Sequence, residues 1–167
     1  MLVLLPTVPF NLARKALANS SAQATNLEMQ KSTCELDKSA RALAGLPKGT
    51  VFAPLDIGPS ILQYSPHAVV ATGHHRAELA MRDVILAFTG TPEQARKLID
   101  KHEARYVVMC RDLIEPDIYV KRGVKGSFAA FLRDGRAPTW LEPVEMDVPP
   151  TFRVWRVRPD GISAPPR

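Results

Sequence analysis

A helix signal that runs directly into a buried-strand signal is the feature that most constrains the fold of this 167-residue chain. In segment 91–110, Thr91 has the position of a helix N-cap, Pro92 that of the first helical residue, and Glu93 lies in the first turn. The segment ends in the apolar run Arg-Tyr-Val-Val-Met-Cys, which is typical of a buried strand. The chain is long enough for one domain with a sizeable core and too short for two. We therefore predict a single α/β domain.

Helical and extended patterns interleave along the rest of the chain. Helices are predicted at 32–45, 59–64, 77–89 and 127–133, strands at 50–55, 68–72 and 152–157, and an extended segment that ends at Val144. The Asp- and Pro-rich stretch that follows Cys110 is interpreted as a loop. Together these patterns predict a small mixed-sheet α/β sandwich with interleaved helices and an N-terminal helical arm.

Two of the predicted helices carry specific packing predictions. Ser32, with Glu35 three residues later, matches a capping box at the start of a helix. In the helix that follows Arg76, apolar residues recur at helical spacing and are predicted to face the core, namely Leu79, Ala80, Val84, Ile85 and Phe88.

The N-terminal residues are apolar but too few to span a membrane by themselves. Prolines and basic residues arrive well before the roughly 20 apolar residues that a membrane-spanning helix needs. A cleaved secretory signal is one alternative, because Ala-Gln-Ala at 22–24 resembles a cleavage site. A second alternative is that these residues begin the folded domain. We favour a third interpretation, in which they are the last turns of a transmembrane helix. We therefore expect a membrane-helix stub and linker arm at 1–30, the α/β domain at 31–158 and a flexible tail at 159–167.

Composition narrows the possible partners. The formal charge of +5 and the sequence pI of about 9.5 favour anionic neighbours. The basic residues are scattered among acidic ones, and no nucleic-acid partner is predicted. No phosphate loop or dinucleotide-binding glycine pattern is present, so no cofactor is predicted. Cys34 and Cys110 are the only cysteines. They are predicted to be either two buried thiols or one long-range disulfide.

Three polar residues in a row, His74, His75 and Arg76, follow the predicted strand at 68–72. Neighbouring residues on an extended chain point to opposite faces, so only one of the two histidines could join His67 in a metal site, and no metal is predicted. A helix that starts near Arg76 would offer free N–H groups and a guanidinium to a phosphate. The structural alternative is that the imidazoles bond loop carbonyls.

Asp56 ends the first predicted strand, and the histidine run ends another. Because polar groups at neighbouring strand ends share a rim, we expect a substrate or anion site there. Its predicted members are Asp56, His67, His74, His75 and Arg76. In the structural alternative, Arg76 pairs with Asp56 or Glu78. Asp56 could instead cap the next helix, with Gly58 supplying a turn.

Several motifs carry a resemblance to a known class of protein: Asp56-Ile57-Gly58-Pro59, Pro66-His67, His74-His75-Arg76 and Tyr106 to Cys110. From about Cys34 to Val157, the chain resembles the C-terminal soluble domain of bacterial polytopic membrane proteins of the GT-C glycosyltransferase type. In that class, the transmembrane helices and their first outer loop supply the catalytic carboxylates and the lipid-linked donor site.

The resemblance implies an accessory domain on the periplasmic side of a bacterial inner membrane, not catalytic by itself. Its partners would be the transmembrane bundle of the parent protein, the membrane surface and a lipid phosphate or sugar. An extracytoplasmic location would also permit a disulfide between Cys34 and Cys110. Arg14 and Lys15 depart from the pattern, because basic residues beside a membrane helix prefer the cytoplasmic side.

Oligosaccharyltransferases carry an Asp-Tyr-Gly core in their outer domain, and only Asp56 and Gly58 match it here. Recognition of a glycosylation sequon is therefore not implied. Two alternatives to the accessory domain stay open: a stand-alone α/β binding module, and a hydrolase-like enzyme that would use Ser60, Ser65 or Cys110. No Gly-x-Ser-x-Gly motif supports the second.

Overall fold

The computed structural model describes residues 32–159. The expected stub and helical arm at 1–30, and all of the expected tail except Pro159, lie outside these residues. Within 32–159, no helix combines the length and the apolar character needed to cross a membrane.

Five strands of the described part of the chain form one mixed sheet. They are β1 (Thr50–Phe52), β2 (Ala68–Val69), β3 (Ala104–Cys110), β4 (Leu141–Pro143) and β5 (Phe152–Val157). The order across the sheet is β2-β1-β3-β5-β4. β1 runs parallel to β2 and β3, whereas β5 runs antiparallel to β3 and β4. The carboxyl ends of β1, β2 and β3 therefore lie at the same edge of the sheet.

Within residues 32–159, six α-helices accompany the sheet. They are α1 (Leu36–Ala42), α2 (Gly58–Tyr64), α3 (Glu78–Thr89), α4 (Pro92–Lys101), α5 (Ile114–Arg122) and α6 (Phe128–Arg133). On one face of β3, Val107 belongs to a core cluster with Phe88 of α3 and Phe128 of α6. Its neighbour Tyr106 points to the opposite face, where its ring meets His67 edge-on. The sheet is packed on both faces, and the predicted mixed α/β fold is confirmed.

The helix-to-strand unit predicted at 91–110 is confirmed in detail. The Thr91 side chain accepts a hydrogen bond from the Gln94 N–H, and the Gln94 side chain accepts one from the Thr91 N–H. The helix predicted from Ser127 is also present, with the Ser127 hydroxyl accepting the Ala130 N–H.

The capping box predicted at Ser32 and Glu35 is wrong. α1 begins at Leu36, and Glu35 has a left-handed backbone (φ 44°) with no side-chain cap. The reason is tertiary: the backbone N–H and the hydroxyl of Thr33 both donate to Asp112 Oδ2 at 2.7 Å. These bonds tie the segment before α1 to the end of β3.

The apolar stripe predicted on α3 is wrong in part. Val84 and Phe88 are buried, but Leu79 is 68% exposed and Ile85 is 40% exposed. The helix instead turns Asp83 inward, where its Oδ2 accepts hydrogen bonds from Lys101 at 2.7 Å and from His102 at 2.9 Å. The bonds of the buried Asp83 carboxylate to Lys101 and His102 therefore set the rotation of α3.

The stretch interpreted as a loop after Cys110 contains a helix, α5. Its charges follow the helix dipole, with Glu115 and Asp117 in the first turn and Lys121 and Arg122 in the last. Pro116 lies in the first turn, where its missing N–H breaks no hydrogen bond of the helix. This charge pattern is the signal that the sequence reading missed.

Candidate functional site

The loop that follows β1 is held by a carboxylate on α5. Glu115 is 8% exposed, and it accepts hydrogen bonds from the backbone N–H groups of Leu55 at 2.9 Å and Asp56 at 2.7 Å. The Tyr119 hydroxyl, one turn later on α5, donates to the same carboxylate. Glu115 thus fixes the backbone of the loop at the carboxyl edge of the sheet. We call Asp56, Glu115 and Tyr119 the carboxyl-edge site.

Burial dominates the electrostatics of this site. It raises the pKa of the Glu115 carboxyl, and the negative charge of Asp56 adds to the rise. Burial also raises the pKa of Asp56 and of the Tyr119 hydroxyl. Two carboxyl groups that share a poorly solvated site hold protons more readily than carboxyl groups in water.

Unlike Glu115, Asp56 has a carboxyl group that is available for hydrogen bonds to a ligand. It is half-buried, and its carboxyl makes no side-chain hydrogen bond or ion pair with another residue of the described part of the chain. The expectation that Asp56 caps the next helix is wrong, because Ile57 is the N-cap of α2 and no side chain caps it. Asp56 therefore presents a carboxyl that can bond to a hydroxyl or amide.

Gly58 allows the loop after β1 to lie against the loop after β2. A Cβ atom at Gly58 would stand 2.9 Å from the Ala71 carbonyl oxygen and 2.9 Å from the Thr72 side chain. Real Cβ atoms do not approach a backbone oxygen so closely, so this contact requires glycine. The Asp56 loop and the loop that leads from β2 to His74 are neighbours for this reason.

The structure places the polar run after β2 at the surface. His74 and Arg76 are exposed, and His75 begins the short 3₁₀ turn His75–Ala77 before α3. Within residues 32–159, Arg76 forms no ion pair with Asp56 or Glu78. The predicted pairing of Arg76 with either acid is therefore wrong.

His67 lies away from this edge. Its ring is buried, with Nε2 2.8 Å from the Leu43 carbonyl oxygen and Nδ1 3.2 Å from the Gly49 backbone. Gly49 and His67 directly precede β1 and β2, so they lie at the amino ends of these strands. The expectation that His67 shares a rim with Asp56 is wrong, because the two residues lie at opposite ends of parallel strands.

Cys34 and Cys110 form a disulfide with a Cα–Cα distance of 6.0 Å. Asp112 Oδ1 lies 3.2 Å from the Cys34 sulfur and 3.0 Å from the Cys110 sulfur. These three side chains form a cluster of possible metal ligands in the described part of the chain. They could bind a metal ion only after reduction, because a metal ligand must be a thiolate and not a disulfide sulfur.

Comparisons with known proteins bear on the fold. No protein-family model and no curated protein matches this chain. The structure is similar to the crystal structure of the C-terminal globular domain of an oligosaccharyltransferase from Archaeoglobus fulgidus, with a TM-score of 0.58 and 16% sequence identity. The match covers 73% of this chain and 96% of that domain. At this level of identity, the likeness concerns the fold.

Proposed function

We propose that this chain is an extracytoplasmic accessory domain of a membrane protein that resembles GT-C glycosyltransferases. The observation that carries the proposal is the fold similarity to a globular domain of an oligosaccharyltransferase, of which 96% is matched. The Cys34–Cys110 disulfide supports the location, because disulfides persist in oxidising compartments such as the bacterial periplasm. In this proposal, the transmembrane bundle of the parent protein supplies catalysis, and the domain is not catalytic alone.

The proposed contribution of the domain is to bind a substrate at the carboxyl edge of the sheet. Asp56 would accept a hydrogen bond from a hydroxyl of the sugar or from the acceptor. Glu115 and Tyr119 are positioning residues, because they hold the Asp56 backbone and leave its carboxyl free. Ligands bind beyond the carboxyl ends of parallel strands in many α/β proteins, which agrees with this placement.

Arg76 is the proposed contact for the phosphate of a lipid-linked sugar. Its side chain is exposed and pairs with neither Asp56 nor Glu78 within the described residues, so its fork of donors is available to a phosphate. His74 and His75, next to it in the chain, are proposed to contribute to the same contact. His67 is not part of this proposal, because it is bonded to backbone groups at the other end of the strands.

The first test concerns the parent protein. The reading frame upstream of Met1 is expected to encode a series of hydrophobic segments long enough to span a membrane. A frame without such segments would contradict the accessory-domain proposal and favour a stand-alone binding module.

The second test separates a functional from a structural role of Arg76. Arg76→Ala in the full-length protein is expected to reduce incorporation of labelled sugar from lipid-linked donors in native membranes. The melting temperature should stay within experimental error, because an exposed arginine contributes roughly 0 to 1 kcal/mol to folding. Arg156→Ala is the matched control, since Arg156 is exposed on β5 and should leave both quantities unchanged. Lowered stability with unchanged transfer would show that Arg76 is structural.

A further inference from the structure

Several aliphatic side chains on helices α3 and α5 are exposed. Leu79 and Leu86 are two turns apart on α3, and they are 68% and 50% exposed. Ile114 and Ile118 are one turn apart on α5, and each is 47% exposed. Single exposed leucines are common, but a set of them on two helices that pack together is characteristic of a surface with a binding partner.

One of these side chains, Leu86, lines an open groove of about 480 Å³. Leu86 comes from α3, Leu98 from α4, and Val124 from the segment after α5. Val124 is 50% exposed although it is aliphatic. The groove therefore has an apolar floor at the junction of three elements.

The backbone around the groove is fixed, so the groove is formed before any partner binds. The Val124 N–H donates to the Thr89 carbonyl oxygen at 2.9 Å, and the Phe128 N–H donates to the Gly90 carbonyl oxygen at 2.8 Å. A Cβ atom at Gly123 would lie 2.7 Å from the Thr89 oxygen, so this close approach requires glycine. These contacts attach the chain after α5 to the end of α3.

The charged residues that line the groove have one sign. Lys97 of α4 and Arg122 of α5 line it, and no carboxylate is among the described residues that do. Lys121 and Lys125 are exposed on either side of Arg122 and Val124. An apolar floor bordered by lysine and arginine is complementary to the surface of a bilayer that contains anionic lipids.

We propose that this basic–apolar groove, formed by Leu86, Lys97, Leu98, Arg122 and Val124, docks on an anionic lipid bilayer. The aliphatic side chains insert at the level of the headgroups, and Lys97 and Arg122 contact lipid phosphates. This inference goes beyond the proposed function, because it requires no sugar transfer and uses none of the residues of the carboxyl-edge site.

The test is cosedimentation of the full 167-residue chain with vesicles of phosphatidylcholine, with and without phosphatidylglycerol. Binding is expected only with phosphatidylglycerol and should weaken as salt is raised. Lys97→Gln with Arg122→Gln should lower the partition coefficient at least about tenfold, because each cation near an anionic surface contributes to binding. Leu86→Gln with Val124→Gln should also lower it, since these changes remove the apolar contact.

The matched control is Lys48→Gln with Arg156→Gln, which removes the same charge from exposed positions outside the groove. Residues 1–31 are present in every variant, so any binding through them is common to all. Three outcomes would overturn the proposal: an equal loss of binding in the control, equal binding to neutral vesicles, or unchanged binding in the groove variants. So would concentration-dependent dimerisation that the Leu86 and Val124 changes abolish, because a second copy would then occupy the groove.

Discussion

Glu115 on α5 and Asp83 on α3 are both buried carboxylates, 8% and 2% exposed, but their surroundings differ. Asp83 accepts hydrogen bonds from the cationic Lys101 and from His102, and the Lys101 bond lowers the pKa of the Asp83 carboxyl. Glu115 accepts bonds only from neutral groups beside a second carboxyl, and burial raises its pKa. The Asp83 carboxylate thus belongs to a stabilising ion cluster, whereas the Glu115 carboxylate lies in an electrostatically unfavourable site.

This difference separates a structural region from a functional candidate. The Asp83 cluster holds α3 against the end of α4, and its charges are compensated. The Glu115 region keeps two carboxyl groups close together without a cation among the residues that contact them in 32–159. Uncompensated carboxyl groups that are held in place are more common at functional sites than in structural clusters.

The largest expected effect is on folding stability. Glu115→Ala should lower the free energy of unfolding by about 3 kcal/mol, because it leaves the Leu55 and Asp56 N–H groups and the Tyr119 hydroxyl without their acceptor. Asp83→Ala should cost less, about 1 to 2 kcal/mol, because Lys101 is 56% exposed and can be rehydrated. Urea unfolding of both variants measures the two values. Equal losses would remove the energetic distinction between the regions.

The second prediction concerns how folding stability changes with pH in the two regions. The raised pKa of Glu115 means that its contribution to stability is fully present below pH 4.5, its ordinary value, and is lost as pH rises through the raised pKa. The lowered pKa of Asp83 means that its contribution is present above pH 3.8 and is lost as pH falls through the lowered pKa.

Chemical unfolding of wild type, Glu115→Gln and Asp83→Asn across this pH range tests the opposite signs. The stability difference between wild type and Glu115→Gln should shrink or reverse as pH rises above 4.5. The difference between wild type and Asp83→Asn should shrink as pH falls below 3.8. Two differences that change in the same direction would contradict the assignment. Asp56 titrates beside Glu115, so Asp56→Asn is the background in which the Glu115 curve is repeated.

A smaller effect is expected at Tyr119. Tyr119→Phe removes one hydrogen bond to Glu115 and should cost about 1 kcal/mol. In combination with Glu115→Ala, the tyrosine change should cost almost nothing more, because the acceptor is already gone. A double-mutant cycle measures this coupling. Additive losses would show that the hydroxyl does not help to hold the loop.

The parts of the fold that the sequence predicted well are those with local signals. The Thr91 capping box, Pro92 and the apolar run to Cys110 lie within one segment, and each signal acts over a few residues. The helix N-cap at Ser127 is local in the same sense. Their agreement with the structure reflects short-range sterics and hydrogen bonding.

The parts that could not be predicted depend on distant residues. Glu115 and Asp56 are 59 residues apart, and nothing near either one indicates that they meet. The rotation of α3 is set by the bonds of Asp83 to Lys101, the last residue of α4, and to His102, the C-cap of α4. The apolar stripe alone therefore predicted the wrong face. Asp56 was predicted as a site residue, whereas Glu115 and Tyr119 were missed because α5 was interpreted as a loop.

The carboxyl-edge site is assigned a functional role and the Asp83 cluster a structural one. The most direct test of this assignment compares Asp56→Asn with Asp83→Asn in the full-length protein. Sugar transfer from lipid-linked donors and melting temperature are measured on the same preparations, and transfer is expressed per folded molecule. Asp56→Asn is predicted to reduce transfer at an unchanged or slightly raised melting temperature, because it removes a half-buried, unpaired charge. Asp83→Asn is predicted to lower the melting temperature and leave transfer per folded molecule unchanged. A loss of transfer in Asp83→Asn, with none in Asp56→Asn, would contradict the assignment of function to the carboxyl-edge site.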